Sequence, residues 1–415
     1  MKRFLRWLLS AFLGLFVVYL LAFAVLSIQP QVKDTDLRVT REPVSPESNA
    51  LAGLEKAASL LWWPQEMQAT LSNLAADTNW DAGLASSALA SNQQALAALD
   101  AALAFPALQA PEFRLADKLS YLSDWKRLAQ LQAIRANSLF RTGREQEAFN
   151  QAVSLVQMGR RLQEAQGGVI HYLVGAGVKG QGFSCIRRWA GSARLTPRQM
   201  AQIISALKSV PSDGSPLAES LKVEYQVQIQ ALADLRAGRV EPGIAEGRLL
   251  RFKLLPVYNH GKTKRLFATG TRDLIDAVEL PYGKARLPDE AKRPGPTKLI
   301  LGGNLAGDVI YWLTMPAHSV GLARKCEDNV QLGATCVLLA LRAYQLKSGR
   351  LPESLSALVP DFLDAVPADD FDGQPLRYSP EKKVVYSVGR NLRDDQGDIT
   401  RTQRQSLDYG FSIAF

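Results

Sequence analysis

Apolar positions along this chain follow three successive rhythms. Phe4 to Ile28 is apolar almost without break, Arg6 being its one charge. At 1.5 Å per residue a helix of that length crosses a hydrocarbon layer of about 30 Å. From residue 49 to about 348, apart from a less regular stretch over 238–300 holding Pro242, Pro256, Pro281, Pro288, Pro294 and Pro296, the apolar residues return every three to four positions, as in Leu51, Leu54, Ala57, Ala58 and Leu61, the period of helices with one buried face. Beyond that, Val384 to Gly389 reads as a strand, and Leu407, Tyr409, Phe411, Ile413 and Phe415 alternate as a half-buried final strand does. The pattern predicts a mainly α protein with an N-terminal transmembrane helix, an irregular, hairpin-rich helical domain and a small α+β C-terminal domain carrying a short antiparallel sheet. The boundaries follow as a signal anchor over 1–28, a linker over 29–48 containing Pro30, Pro43 and Pro46, a helical domain over 49–317 and the α+β domain over 318–415.

Punctuation divides the helical region. Trp62-Trp63-Pro64 closes the first helix, and the Ala- and Leu-rich stretch 84–105 reads as one helix ended by Pro106 and Pro111. Thr196 caps, and Pro197 starts, a helix to Ser209, while Leu217 to Ala237 stops at Gly238. Val169 to Trp189 reads as a helix despite Gly175, Gly177, Gly180 and Gly182, small residues that let a neighbouring backbone come close. A short helix is expected over Thr263 to Glu279, another segment over Asn304 to Leu313, and a long helix over 318–348. The Pro-rich, charged stretch 281–297 is a candidate mobile loop or exposed partner-binding strip.

Charge gives the anchor a direction. Lys2, Arg3 and Arg6 are held on the cytoplasmic side, which places the bulk of the chain beyond the inner membrane of a bacterial envelope as a single-pass protein. The competing reading is a cleaved signal peptide with Ala22-Phe23-Ala24 as its small-residue site. Of the net charge of +9, three units are those topogenic residues. Residues 247–271 are basic without an acid, whereas 350–415 holds 8 basic and 11 acidic residues. A basic strip beside a bilayer suits anionic headgroups or a solvated face, and nothing resembles a nucleic-acid module.

Catalytic motifs do not stand out. Only His171, His260 and His318 are available, none with a metal-ligand partner at helical spacing, and there is no His-Glu-x-x-His, Cys-x-x-Cys or Gly-x-Ser-x-Gly. A nucleophile with a distant base stays open, since triad partners need not be close in sequence. Of the three cysteines, Cys326 and Cys336 lie on one helix too far apart to pair, so a disulfide would have Cys185 as one end; buried unpaired thiols are the other reading.

Two resemblances add to this. Ala116 to Phe140, the turn Arg141-Thr142-Gly143-Arg144, and Glu145 to Glu164, with Leu128, Leu131, Ala136, Leu139, Ala148, Ala152 and Leu155, resemble a single tetratricopeptide-type hairpin, which implies a peptide-binding groove; an ordinary helical hairpin is the plainer reading. Gly349-Arg350-Leu351-Pro352, the Asp372-Gly373 turn, the strand Val384–Gly389 and the acidic loop 391–398 resemble the C-terminal region of type II secretion major pseudopilins. That resemblance implies a small αβ fold and a calcium ion held by Asp394, Asp395 and Asp398, with backbone carbonyls near Leu392. Arg390 and Arg393 could instead pair with those acids. The processed Gly-Phe-x-x-x-Glu-like start of pseudopilins is missing, so assembly into a pilus is not implied. The sequence therefore points to a membrane-anchored scaffold or adaptor of the bacterial envelope, linked to secretion or pilus-like machinery, the alternative being an envelope hydrolase.

Overall fold

The computed structural model describes residues 14–18, 20–21, 24–25, 28–237, 239, 258–286, 303–400 and 407–415. Most of the segment read as an anchor, the basic stretch from 247 to 257 and the 287–297 part of the Pro-rich strip lie outside the described residues. No helix among the described residues is long and apolar enough to cross a membrane. Those described between 14 and 25 are helical, with Leu15, Phe16, Val18 and Leu21 exposed.

The folded body is mainly helical, with one small antiparallel sheet. Its helices are α1 (Leu51–Ser59), α2 (Gln68–Ala76), α3 (Ala82–Ser91), α4 (Gln93–Leu103), α5 (Tyr121–Arg141), α6 (Glu145–Gln163), α7 (Val169–Ala190), α8 (Pro197–Lys208), α9 (Ser215–Arg236), α10 (His260–Val278) and α11 (Leu305–Ser348). The strands are β1 (Arg377–Ser379), β2 (Val384–Ser387) and β3 (Tyr409–Ser412), in that spatial order. The register pairs Tyr378 with Val385 and Val385 with Phe411.

Several boundaries follow local chemistry. The Thr196 hydroxyl accepts from the Gln199 backbone N–H and the Gln199 side chain returns the bond, so α8 begins on a full capping box with Pro197 next. Gly349 ends α11 in the left-handed region, at φ 74°, where a side chain would strain the backbone. Two boundaries differ from the periodic reading. The stretch 84–105 is not one helix but α3 and α4, broken at Asn92. That side chain, 1% exposed, accepts from Trp62 N–H and donates to the carbonyls of Trp62 and Ala88, and such competition with the backbone disfavours a continuous helix. Conversely, α11 runs through Pro316 where two segments were expected. Tyr311 and Met315 before the proline, and Leu322 after it, pack into one core, which outweighs the single lost hydrogen bond.

α6 and α7 form the closest crossing. A Cβ at Gly175 would stand 2.5 Å from the Gly159 carbonyl oxygen, and one at Gly182 would stand 2.5 Å from that of Ala152. Gly175 and Gly182 thus let two backbones touch, the close approach that small residues on this helix implied.

Two cores result. The larger joins α1 to α8, the second half of α11 and the sheet, with Trp125, Phe149, Phe183, Val337, Phe371 and Val385 all buried. The smaller joins Leu37, Tyr172, Leu217, Tyr225, Phe267, Met315 and Leu322. The division expected at 317/318 falls inside α11, whose first half serves the smaller core and whose second half serves the larger. Arg187 on α7 ties the sheet to the helices, donating to Thr335 Oγ1 at 2.9 Å and lying 4.1 Å from the Phe411 ring.

The stretch read as a linker over 29–48 is strapped to the body. Leu37 is 1% exposed. Asp34 meets Lys264 at 2.8 Å and accepts from the Tyr225 hydroxyl; Asp36 meets Arg272 at 2.7 Å. Burial pulls the Asp34 pKa upward, but the bonds from Lys264 and Tyr225 outweigh it and hold the carboxyl below its usual range. Arg41 then donates to the carbonyls of Ala110 and Gln166.

Candidate functional site

Two places on the body could carry function, one a groove and the other a buried polar cluster beside a cleft. The groove, of about 350 Å³, lies between α6 and α8 and is lined by Gln146, Asn150, Val153, Gln157, Gln202, Ile203 and Ala206. Residues 146, 150, 153 and 157 fall on one face of α6 because three- and four-residue steps return to the same side of a helix. Gln146 is held by Asn150 and Gln199, at 3.2 and 3.1 Å. The side chains of Gln157 and Gln202 are exposed and make no hydrogen bond with any described residue. An amide both donates and accepts, so these side chains match the alternating N–H and C=O groups of a peptide backbone, while Val153 and Ile203 offer an apolar floor. The sequence reading stopped at the hairpin itself and missed these amides; Gln146, Asn150 and Gln157 at helical spacing were the available signal.

The cluster gathers residues from α5, α7, α9 and α11. His171 Nε2 and the Tyr121 hydroxyl share a 2.7 Å hydrogen bond, with Phe113 5.3 Å away, ring to ring. His318 Nε2 and Gln228 Nε2 lie 2.8 Å apart, and Glu224 Oε1 is 3.9 Å from the same His318 nitrogen. The other Glu224 oxygen accepts from Val169 N–H. Beside the cluster is an open cleft of about 560 Å³ whose lining includes Arg38, Arg41, Glu112, Phe113, Gln226 and Gln230. Burial holds both histidines neutral, lowering each to about 4, with Arg41 adding to the effect at His171. Burial raises the Glu224 carboxyl. Neither His171 nor His318 is hydrogen-bonded to a serine or cysteine, and His260 meets the Tyr258 hydroxyl through Nδ1 at 3.2 Å. The arrangement joins helices, and among the described residues no serine or cysteine is hydrogen-bonded to His171 or His318 as the nucleophile of an acyl transfer would be.

Those histidines carry a pH dependence. Their folded pKa is below the unfolded value near 6.5, so their stabilisation is fully present above 6.5 and is lost as pH falls toward 4. By pH 5 each is expected to cost about 2 kcal/mol. Glu224, raised in the fold, works in the opposite direction and trims this. Urea unfolding at pH 7 and pH 5 measures the loss, and the double variant His171→Gln, His318→Gln should lose markedly less between the two. An equal loss in both proteins would refute this assignment.

The three cysteines are buried and unpaired. Burial pushes the thiols of Cys185 and Cys336 up to about 11 and 12, and that of Cys326 higher still, leaving none as a ready thiolate. In the acidic loop, Asp394 accepts from Arg377 and Tyr386, each at 3.3 Å. Asp395 accepts from Asn391 at 2.8 Å and Asp398 from Thr400 N–H at 3.0 Å, while Arg390 turns away to Glu327. The N–H groups of Asp395 and Gly397 go to Asp408, a carboxylate not singled out in the sequence. Among the described residues no group of three or more His, Cys, Asp or Glu is placed to hold a metal ion. Compared with protein-family models, curated proteins and solved structures, the chain matches none.

Proposed function

We propose that this protein is a membrane-anchored scaffold or adaptor of the bacterial envelope, its body on the outer side of the inner membrane, which holds an extended segment of a partner protein in the groove between α6 and α8. The amide lining of that groove carries the reading, because Gln157 and Gln202 have hydrogen-bonding capacity that no described residue uses. The exposed apolar residues described between Leu15 and Ile28 support the anchor. The resemblance of the C-terminal region to major pseudopilins supports a link to secretion or pilus-like machinery.

A photo-crosslinking residue placed at Gln157 in the full-length protein tests this in intact cells. A discrete adduct is expected, and Gln202→Ala with Ile203→Asp should abolish it while the protein accumulates normally. The reading fails if no adduct forms at Gln157, or if the purified protein hydrolyses an ester or amide in a manner lost in His171→Ala, which would establish the hydrolase instead.

A further inference from the structure

The strap described above leaves the membrane anchor no slack. Asn259 donates its side-chain amide to the Ile28 carbonyl at 2.8 Å, Gly261 N–H donates to the Gln29 side chain at 2.7 Å, and Pro30 lies directly against Gly261. The last residues of the anchor are therefore bound to the start of α10. The same Asn259 donates its backbone N–H to Asn304 Oδ1 at 2.8 Å, which brings the start of α11 to this point as well.

From there α11 carries an unpartnered apolar stripe. Val309, Leu313 and Val320 are 39%, 71% and 45% exposed. Their spacing of four and seven residues keeps them on one side of the helix. Gly307, Tyr311 and Met315 face α10 from the opposite side, against Thr263 and Gly270. With a rise of 1.5 Å per residue, Val309 lies about 6 Å and Leu313 about 12 Å along the axis from Leu305. Trp312, half-buried beside Leu313, is a residue type that favours the membrane interface.

We infer that the first half of α11 lies on the outer leaflet of the bilayer that anchors the chain, with Val309, Leu313 and Val320 among the lipids. This rests on the reading of residues 4–28 as a membrane span. It adds that the body is docked on the membrane in one orientation and does not swing from a free tether. An apolar stripe in water is costly, whereas one beside a bound membrane exit meets lipid without further ordering of the chain.

The test uses full-length protein in vesicles of phosphatidylethanolamine and phosphatidylglycerol, with an environment-sensitive fluorophore on Leu313→Cys or, as a control, on the exposed Glu353→Cys. Expected are blue-shifted emission at 313 and quenching by brominated acyl chains several-fold stronger than at 353. If the protein floats with the vesicles but the two positions respond alike, the docking is overturned while the anchor stands. If it does not float with them, the anchor fails and the docking with it. Blue-shifted emission at 313 without lipid quenching, together with a disulfide-linked dimer of Leu313→Cys, would show a second copy on this face and overturn the inference.

Discussion

Replacing Asp328 with leucine is expected to lower the free energy of unfolding by about 3–5 kcal/mol, the cost of leaving one member of a buried ion pair alone. Asp328 and Lys179 join α11 to α7 at 2.7 Å, with side chains 3% and 2% exposed. Gln163 of α6 donates to the same carboxylate oxygen at 3.1 Å, and its carbonyl oxygen is 3.5 Å from the Lys179 ammonium. With the carboxylate gone, only that long contact would face a charge held out of water. The pair itself is imperfectly solvated, because Asp328 Oδ1 is buried with no hydrogen-bond partner. The double variant Lys179→Met, Asp328→Leu should therefore recover about 2 kcal/mol of the loss, the residual penalty being the orphaned Gln163 amide, about 1–3 kcal/mol. Denaturant unfolding of the three proteins under one set of conditions decides it. A double variant no better than the single one would show that Lys179 and Asp328 act through packing and not as a charge pair.

A second large effect is expected at the α6–α7 crossing. Gly175→Ala would place a Cβ 2.5 Å from the Gly159 carbonyl oxygen and 2.8 Å from the Gln163 backbone nitrogen. Neither atom can move away by a rotamer change, so the helices must separate. The separation would loosen contacts along the crossing at a cost of about 3 kcal/mol. Gly177, two residues along the same helix, has nothing within 4 Å of its would-be Cβ. Gly177→Ala should accordingly stabilise by up to about 1 kcal/mol through helix propensity. Opposite signs at 175 and 177 are the expected result. Two similar values would mean that α7 does not approach α6 through its glycines.

The contrast between these glycines shows how far the chain could be read. That small residues on this helix serve close approach was visible in their spacing; which of them touch a neighbour was not, because that depends on how α6 lies across α7. The amide face of α6 was present in the sequence as Gln146, Asn150 and Gln157, yet it becomes a groove only where α8 supplies Gln202 and Ile203 opposite. Asp394, Asp395 and Asp398 are close in sequence, but Arg377, Asn391 and Thr400 bond them separately.

The amino-acid order alone determined the apolar run at the N-terminus, the helical period of the body, the cap at Thr196, the stop at Gly349 and the short strands at the end. These are local: propensity, capping and periodicity act within a few residues. Only the tertiary structure decided that α3 and α4 part at Asn92, that α11 continues through Pro316, and that residues 29–41 are fastened to the body. In each case the deciding partner is distant in the chain: Trp62 for Asn92, α10 for Tyr311 and Met315, Lys264 and Arg272 for Asp34 and Asp36. Burial supplies the reason, since a polar group taken out of water must find a partner wherever the fold brings one.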